Sequence, residues 1–235
     1  MKSQVDHLVV AAHSLQQGVA WCESVLGITP AAGGAHEKYG THNRLFKIAT
    51  PTFPVAYFEI IAINPDAVIE KKPPPTRWFD LDQKTLQTEL AKSPRLIHFV
   101  VNTENIQDAR HAWKAQSIDR GPIIHASRQT PKGLLQWQIT VRPDGERLFN
   151  GTLPTLIQWG KPEAADPMKL HPRNHLPRSG ISLKSLTVSH ASAPKLRDAY
   201  SAIGLSNVNV CEGPANIIAT LQTPKGLVTL ESLGI

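Results

Sequence analysis

Four polar residues interrupt otherwise apolar runs of this 235-residue sequence, in types and spacings that could hold a metal ion. His7 lies within Val5-Asp6-His7-Leu8-Val9-Val10, and His98 lies at the same phase within Leu96-Ile97-His98-Phe99-Val100-Val101. Glu59 in Tyr57-Phe58-Glu59-Ile60-Ile61 and Gln158 in Leu156-Ile157-Gln158-Trp159 form a second such pair. Strand side chains alternate between faces, so one polar residue in such a run is aimed at a definite side. Two imidazoles, a carboxylate and a carboxamide converging on one concave sheet would make a divalent metal site. A single strand histidine is more often a hydrogen-bonded core residue. Recurrence at equivalent phase is what favours ligands.

The elements that must position these residues repeat one grammar: an apolar strand, a cap, an amphipathic helix, then short strands. After the His7 strand, Ser14 can cap a helix whose Leu15, Val19, Cys22 and Leu26 recur at helical spacing, with Gly27 as its stop. Strands are predicted at 41–49 and 55–63. After the His98 strand, Thr103 or Asn105 caps a helix marked by Ile106, Ala109 and Trp113, followed by strands near 121–127, 134–142 and 153–159. A third unit opens with Leu183-Lys184-Ser185-Leu186-Thr187-Val188 and is capped by Ser192, with Leu196, Tyr200 and Ile203 on its helix face. Its strands are predicted near 207–211, 215–222 and 227–233.

One helix per three or four strands predicts an α+β fold built from βαβββ modules. Module one spans 1–65 and module two 95–160. The linker 66–94 carries Pro73-Pro74-Pro75 and a helical stretch near 83–92, a proline-rich linker fills 161–180, and the third unit spans 181–235.

Composition excludes several classes. With 41% hydrophobic and 19% charged residues the chain is neither a disordered polyelectrolyte nor a fibrous repeat. Its apolar runs are too short to cross a bilayer as a helix, and Met1 to His7 offers no signal-peptide core, so a cytoplasmic protein without a membrane partner is expected. The net charge of +6 is scattered, with one short pair at Lys71–Lys72; it favours anionic small molecules and lacks the aromatic-interleaved pattern of a nucleic-acid partner. Cys22 sits on a predicted apolar helix face and Cys211 is distant, which argues against a disulfide or a thiol nucleophile. Thr130-Pro131-Lys132-Gly133-Leu134 and Thr223-Pro224-Lys225-Gly226-Leu227 read as hairpin turns. His171 and His175, beside Pro172 and Pro177, read as linker.

Taken in order, several motifs resemble those of the glyoxalase-like domain proteins of the vicinal oxygen chelate superfamily. They are Asp6-His7-Leu8-Val9-Val10-Ala11, Gly33-Gly34-Ala35-His36, Gly40-Thr41-His42-Asn43-Arg44-Leu45, Tyr57-Phe58-Glu59, Arg77-Trp78-Phe79-Asp80-Leu81-Asp82, Leu96-Ile97-His98 and Leu153 to Trp159. The resemblance covers roughly residues 4–180, with a looser echo in the third unit. It implies two βαβββ modules joined into a cup-shaped mixed sheet with helices outside. It also implies that His7, Glu59, His98 and Gln158 hold a divalent metal (zinc, nickel, iron or manganese), which chelates a small oxygenated anionic substrate and stabilises its oxyanion.

The pattern also departs from the family. Gln158 cannot act as a base, so Glu59 or His36 would have to move the proton, and lyase, isomerase and oxygenase chemistry all stay open. Substrate contacts are expected from His36, Asn43, Arg44 and Trp78, with the alternatives that Gly33-Gly34 is a turn, Asn43 bonds local backbone, Arg44 is solvated and Trp78 covers a core edge. In the third unit Ser185 stands at the histidine position and Glu231 matches Glu59. That unit is expected to be structural, extending the sheet or forming a homodimer contact. A metal-free small-molecule binding protein of the same fold is the competing class.

Overall fold

A computed structural model describes residues 1–69, 76–130, 132–160 and 164–235; Lys71–Lys72, Pro73-Pro74-Pro75 and Pro131 lie outside them. The first repeat forms β1 (Ser3–Ala11), α1 (Leu15–Leu26), β2 (Ala31–His36), β3 (Thr41–Lys47) and β4 (Tyr57–Ile63). The second forms β5 (Arg95–Thr103), α3 (Ile106–Ala115), β6 (Ile123–Thr130), β7 (Gly133–Thr140) and β8 (Thr155–Trp159), with α2 (Lys84–Lys92) between the two. The caps act as their chemistry requires: Ser14 accepts from the Gln17 N–H, and Asn105 from those of Gln107 and Asp108.

These strands make one curled eight-stranded sheet in the order β2-β3-β4-β1-β5-β8-β7-β6. β1 and β5 pair antiparallel at its centre, and each runs parallel to the last strand of its own repeat. The two halves are therefore related by a pseudo-twofold between β1 and β5. The convex face is covered by α1 and α3. Gly18 lets α1 approach the sheet, since a Cβ there would lie 2.5 Å from Ile60 Cγ2. Gly18→Ala is thus expected to destabilise by about 1–3 kcal/mol despite alanine's better helix propensity, read as a lower urea midpoint.

The third repeat forms a separate sheet from β9 (Ser182–Ser189), β10 (Asn209–Cys211), β11 (Asn216–Thr223) and β12 (Gly226–Glu231), with α4 (Ala193–Ala202). It has the element order of a module but not its pairing, because β11 lies between β9 and β12. Glu231 is therefore remote from Ser185; it sits on the edge strand and accepts from Asn216 Nδ2. The unit packs on the convex face, outside the cup: Leu183, Leu186, Ile217 and Leu221 share one core with Val5, Leu8 and Phe99. Trp113 Nε1 donates to the Ala199 carbonyl, joining α3 to α4.

The concave face has its own core. Leu86 and Leu90, one turn apart on α2, seat that helix there with Phe79, Leu81, Ile97 and Val100. Phe79 and Asp80 both take left-handed backbone (φ 61° and 59°) where the segment dips into the cup, and Asp80 Oδ2 accepts from Arg147 Nε. Half of the cup is filled in this way. The other half keeps a cavity.

Candidate functional site

A cavity of about 50 Å³ lies against β1, β3 and β4, lined among others by His7, His36, Asn43, Tyr57, Glu59 and Trp78. Register shifts at Asp6, between Val5 and His7, turn this adjacent polar pair toward the same interior. Asp6 Oδ1 accepts from His7 Nδ1 at 2.7 Å, and its Oδ2 accepts from Trp159 Nε1 at 2.9 Å and His171 Nε2 at 3.0 Å. Burial alone would raise the Asp6 pKa, but His171 and His7 outweigh it and hold the carboxyl well below the usual carboxylate range. With Nδ1–H given to Asp6, His7 turns Nε2 toward Glu59 Oε2, 3.5 Å away. These two acceptors can share one proton.

Glu59 is only 5% exposed and is held from its other side: Asn43 Nδ2 donates to Oε1 at 2.5 Å, and Asn43 Oδ1 accepts the Gly34 N–H at 2.8 Å. Gly33 and Gly34 form no turn. They lie in a bulge of β2 whose missing side chains make room, since a Cβ on Gly33 would meet Asn43 Oδ1 at 2.0 Å and one on Gly34 would meet an Arg128 Nη at 1.8 Å. The Arg128 guanidinium therefore lies across Gly34 at the cavity wall. His36 also lines the cavity. Its pKa is pushed down to about 4 by burial first, with the Arg128 charge adding and Glu59 opposing, so it is neutral at pH 7. Trp78, 8% exposed, stacks on Tyr39 and meets His36 edge-on.

Three residues expected at the site are elsewhere. In β8 the cavity-facing residues are Ile157 and Trp159, so Gln158 points to the convex face, where its Oε1 accepts the Ile106 N–H at the start of α3. The pseudo-twofold explains the error. Glu59 pairs with Val9, and its counterpart, opposite Val100, is Thr155. Three residues separate the two alignments, and an odd shift reverses the face. His98 is the true counterpart of His7, but it is fully buried, with Nδ1 donating to the Gly151 carbonyl and Nε2 accepting from the Thr155 N–H. The buried Arg120 guanidinium stands beside it, donating to Thr155 Oγ1 at 2.5 Å. Arg44 alternates with the cavity-lining Asn43 and Leu45 and so faces away.

The expected four-residue metal set is therefore not assembled. His7 and Glu59 face each other, but a hydroxyl and a buried guanidinium occupy the corresponding half of module two. Among the described residues no group of three or more His, Cys, Asp and Glu is placed to hold a metal. The donor set does not fit a four-ligand divalent ion.

Burial first, and then the Arg120 charge, hold the His98 pKa well below its ordinary value. The unfolded chain takes up a proton near pH 6.5 that the native state refuses, so stability should fall as pH drops below that point, by up to about 1.4 kcal/mol per pH unit. Urea unfolding between pH 7.5 and 5 checks this, and His98→Gln should flatten the slope.

Sequence reasoning missed Asp6, His171 and Arg128. Two adjacent polar residues, Asp6 and His7, inside a buried strand were a legible sign of a bulge. His171, read as linker, is fully buried, and nothing local announced it. Arg128 alternates with exposed residues on an edge strand and looks like any surface cation.

A family model described as a glyoxalase-like domain matches residues 5–204. Among curated proteins none matches the sequence. A hypothetical protein from Staphylococcus aureus has a similar structure, with a TM-score of 0.57 at 15% identity over 92% of this chain and 88% of that one. A methylmalonyl-CoA epimerase variant from Streptomyces coelicolor, in complex with 2-nitronate-propionyl-CoA, has a TM-score of 0.40 at 15% identity, over 67% of this chain and 95% of that one. The Mycobacterium tuberculosis methylmalonyl-CoA epimerase has a TM-score of 0.35 at 14% identity, over 66% and 85%.

Proposed function

We propose that this chain, which belongs to the glyoxalase-like domain family, is an enzyme that moves a proton at a carbon next to a carbonyl of a small oxygenated, anionic substrate. One observation carries the reading: a buried carboxylate, Glu59, is oriented by Asn43 and set beside an imidazole that a buried, ionised Asp6 orients from behind. Burying three titratable groups at a cavity costs stability that a purely structural role would not require, and such clusters mark functional sites.

In this mechanism Glu59 accepts the proton from the substrate carbon. The C–H electron pair passes into the adjacent carbonyl to give an enolate, and the proton returns to the same or the neighbouring atom. His7 shares the proton with Glu59 while Asp6 stabilises the charged imidazole. His36, neutral at pH 7, is available as a second acceptor or donor. No step is routed through a metal. Epimerisation, isomerisation and lyase chemistry all begin this way, and the reaction stays at that class.

The competing reading is a binding protein without turnover, which the aromatic lining of Tyr57, Trp78, Trp137 and Trp159 favours. Incubating the protein in deuterated water with a panel of 2-oxo and 2-hydroxy acids, followed by proton NMR, separates the two. Catalysed loss of the α-proton signal supports the enzyme; binding of panel members with no exchange supports the binder.

A further inference from the structure

We propose that Arg128 is the receptor for the substrate's anionic group, set at a neck between the inner cavity and an outer groove, so that the substrate is an anion with a flat apolar body. The inference rests on the functional reading above and extends it to the class of the substrate. An outer groove of about 380 Å³ runs between β2 and β6 and shares His36, Trp78, Arg128, Trp137 and Ile139 with the inner cavity. At about 50 Å³ the inner cavity admits only the reacting end of a molecule, because sites for whole ligands run to roughly 300–1,000 Å³. The rest of the substrate must lie in the groove, against the indole rings of Trp78 and Trp137.

Three observations assign the anion to the neck. Among the described residues Arg128 makes no ion pair, although its side chain is half-buried and crosses the cavity wall. A guanidinium at a cavity wall without an ion-pair partner is open to an anionic ligand, and its planar fork matches a carboxylate or phosphate. Gly34, where any Cβ would collide with Arg128, provides the place for it to lie. Trp78 Nε1 is buried without a hydrogen-bond partner among the described residues, leaving a second donor on a side chain that lines both chambers. The Glu59 carboxylate, deeper in, repels an anion and admits a neutral carbonyl. The charge is thus held at the neck and the reacting carbon is presented inward.

The test titrates the full-length protein with phenyl phosphate, phenylacetate and the neutral phenylacetamide, read by tryptophan fluorescence at low ionic strength. At least one anion should bind ten times tighter than phenylacetamide or better, the size of a charge-assisted hydrogen bond. Arg128→Gln should abolish that preference, Arg128→Lys should keep part of it, and Gly34→Ala should weaken it by displacing the guanidinium without removing its charge. Equal affinity for the amide, an anion preference that survives Arg128→Gln, or no binding of either anion at millimolar concentration overturns the proposal. Intact anion binding with no proton exchange on any panel acid overturns the catalytic reading alone.

Discussion

A Glu59→Gln variant is expected to fold like the parent and to exchange the substrate proton about 100- to 10,000-fold more slowly, the contribution of a positioned base. Glutamine keeps the oxygen that accepts from Asn43 Nδ2, and its amide group can donate to His7 Nε2, so the packing at this 5%-exposed position survives. Only the ability to take a proton is lost. The measurement is the rate of α-proton exchange by NMR beside a urea unfolding curve. A variant that keeps the parent's stability and also its rate would remove Glu59 from the chemistry and leave His36 as the base. One that loses both would show the carboxylate to be structural.

Removing Asp6 should have the largest effect on stability. Its carboxylate is fully buried and accepts from His7, Trp159 and His171, which come from a central strand, the far half of the cup and the segment leading to the second sheet. Asp6→Ala leaves three buried donors without their acceptor, which should cost about 3–5 kcal/mol and lower the melting temperature by about 6–20 °C. Asp6→Asn separates positioning from packing. The amide oxygen can still accept, but its NH₂ cannot receive the His7 Nδ1–H, so the imidazole loses the orientation that turns Nε2 toward Glu59. A small change in melting temperature with a 10- to 100-fold slower exchange is expected, as for other partners that orient a functional histidine. Equal losses for both variants would deny Asp6 any role beyond packing.

Much of this architecture was legible because it is written in local patterns. The apolar strands, the caps Ser14 and Asn105, the helical spacing of Leu15, Cys22 and Leu26, and the repetition of these elements predicted an α+β fold of repeated βαβββ units, and the family resemblance implied their joining into a cup-shaped sheet. His7, Glu59, Asn43, His36 and Trp78 were singled out from their types and order, and they line one cavity. One expectation failed on register. The strand carrying Gln158 was aligned by its apolar pattern, but the parallel pairing of β8 with β5 sets the register, and a shift of three residues turned Gln158 outward and put Thr155 in its place. In the third unit, expected to be structural, β11 lies between β9 and β12, so Glu231 matches Glu59 in sequence order but not in strand pairing.

What the amino-acid order alone determined is the set of elements and the residues able to do chemistry. Periodicity, caps and polar interruptions act over a few positions, and each leaves its mark in the chain where it acts. What only the tertiary structure decided is which of those residues meet. His171 reaches Asp6 across 165 positions, Trp159 reaches it across 153, and Arg120 takes up the space beside His98 that a ligand set would need. Such encounters depend on strand register, on bulges and on which segment folds over the cup. These come from the free energy of the whole packed molecule rather than from any local run of residues.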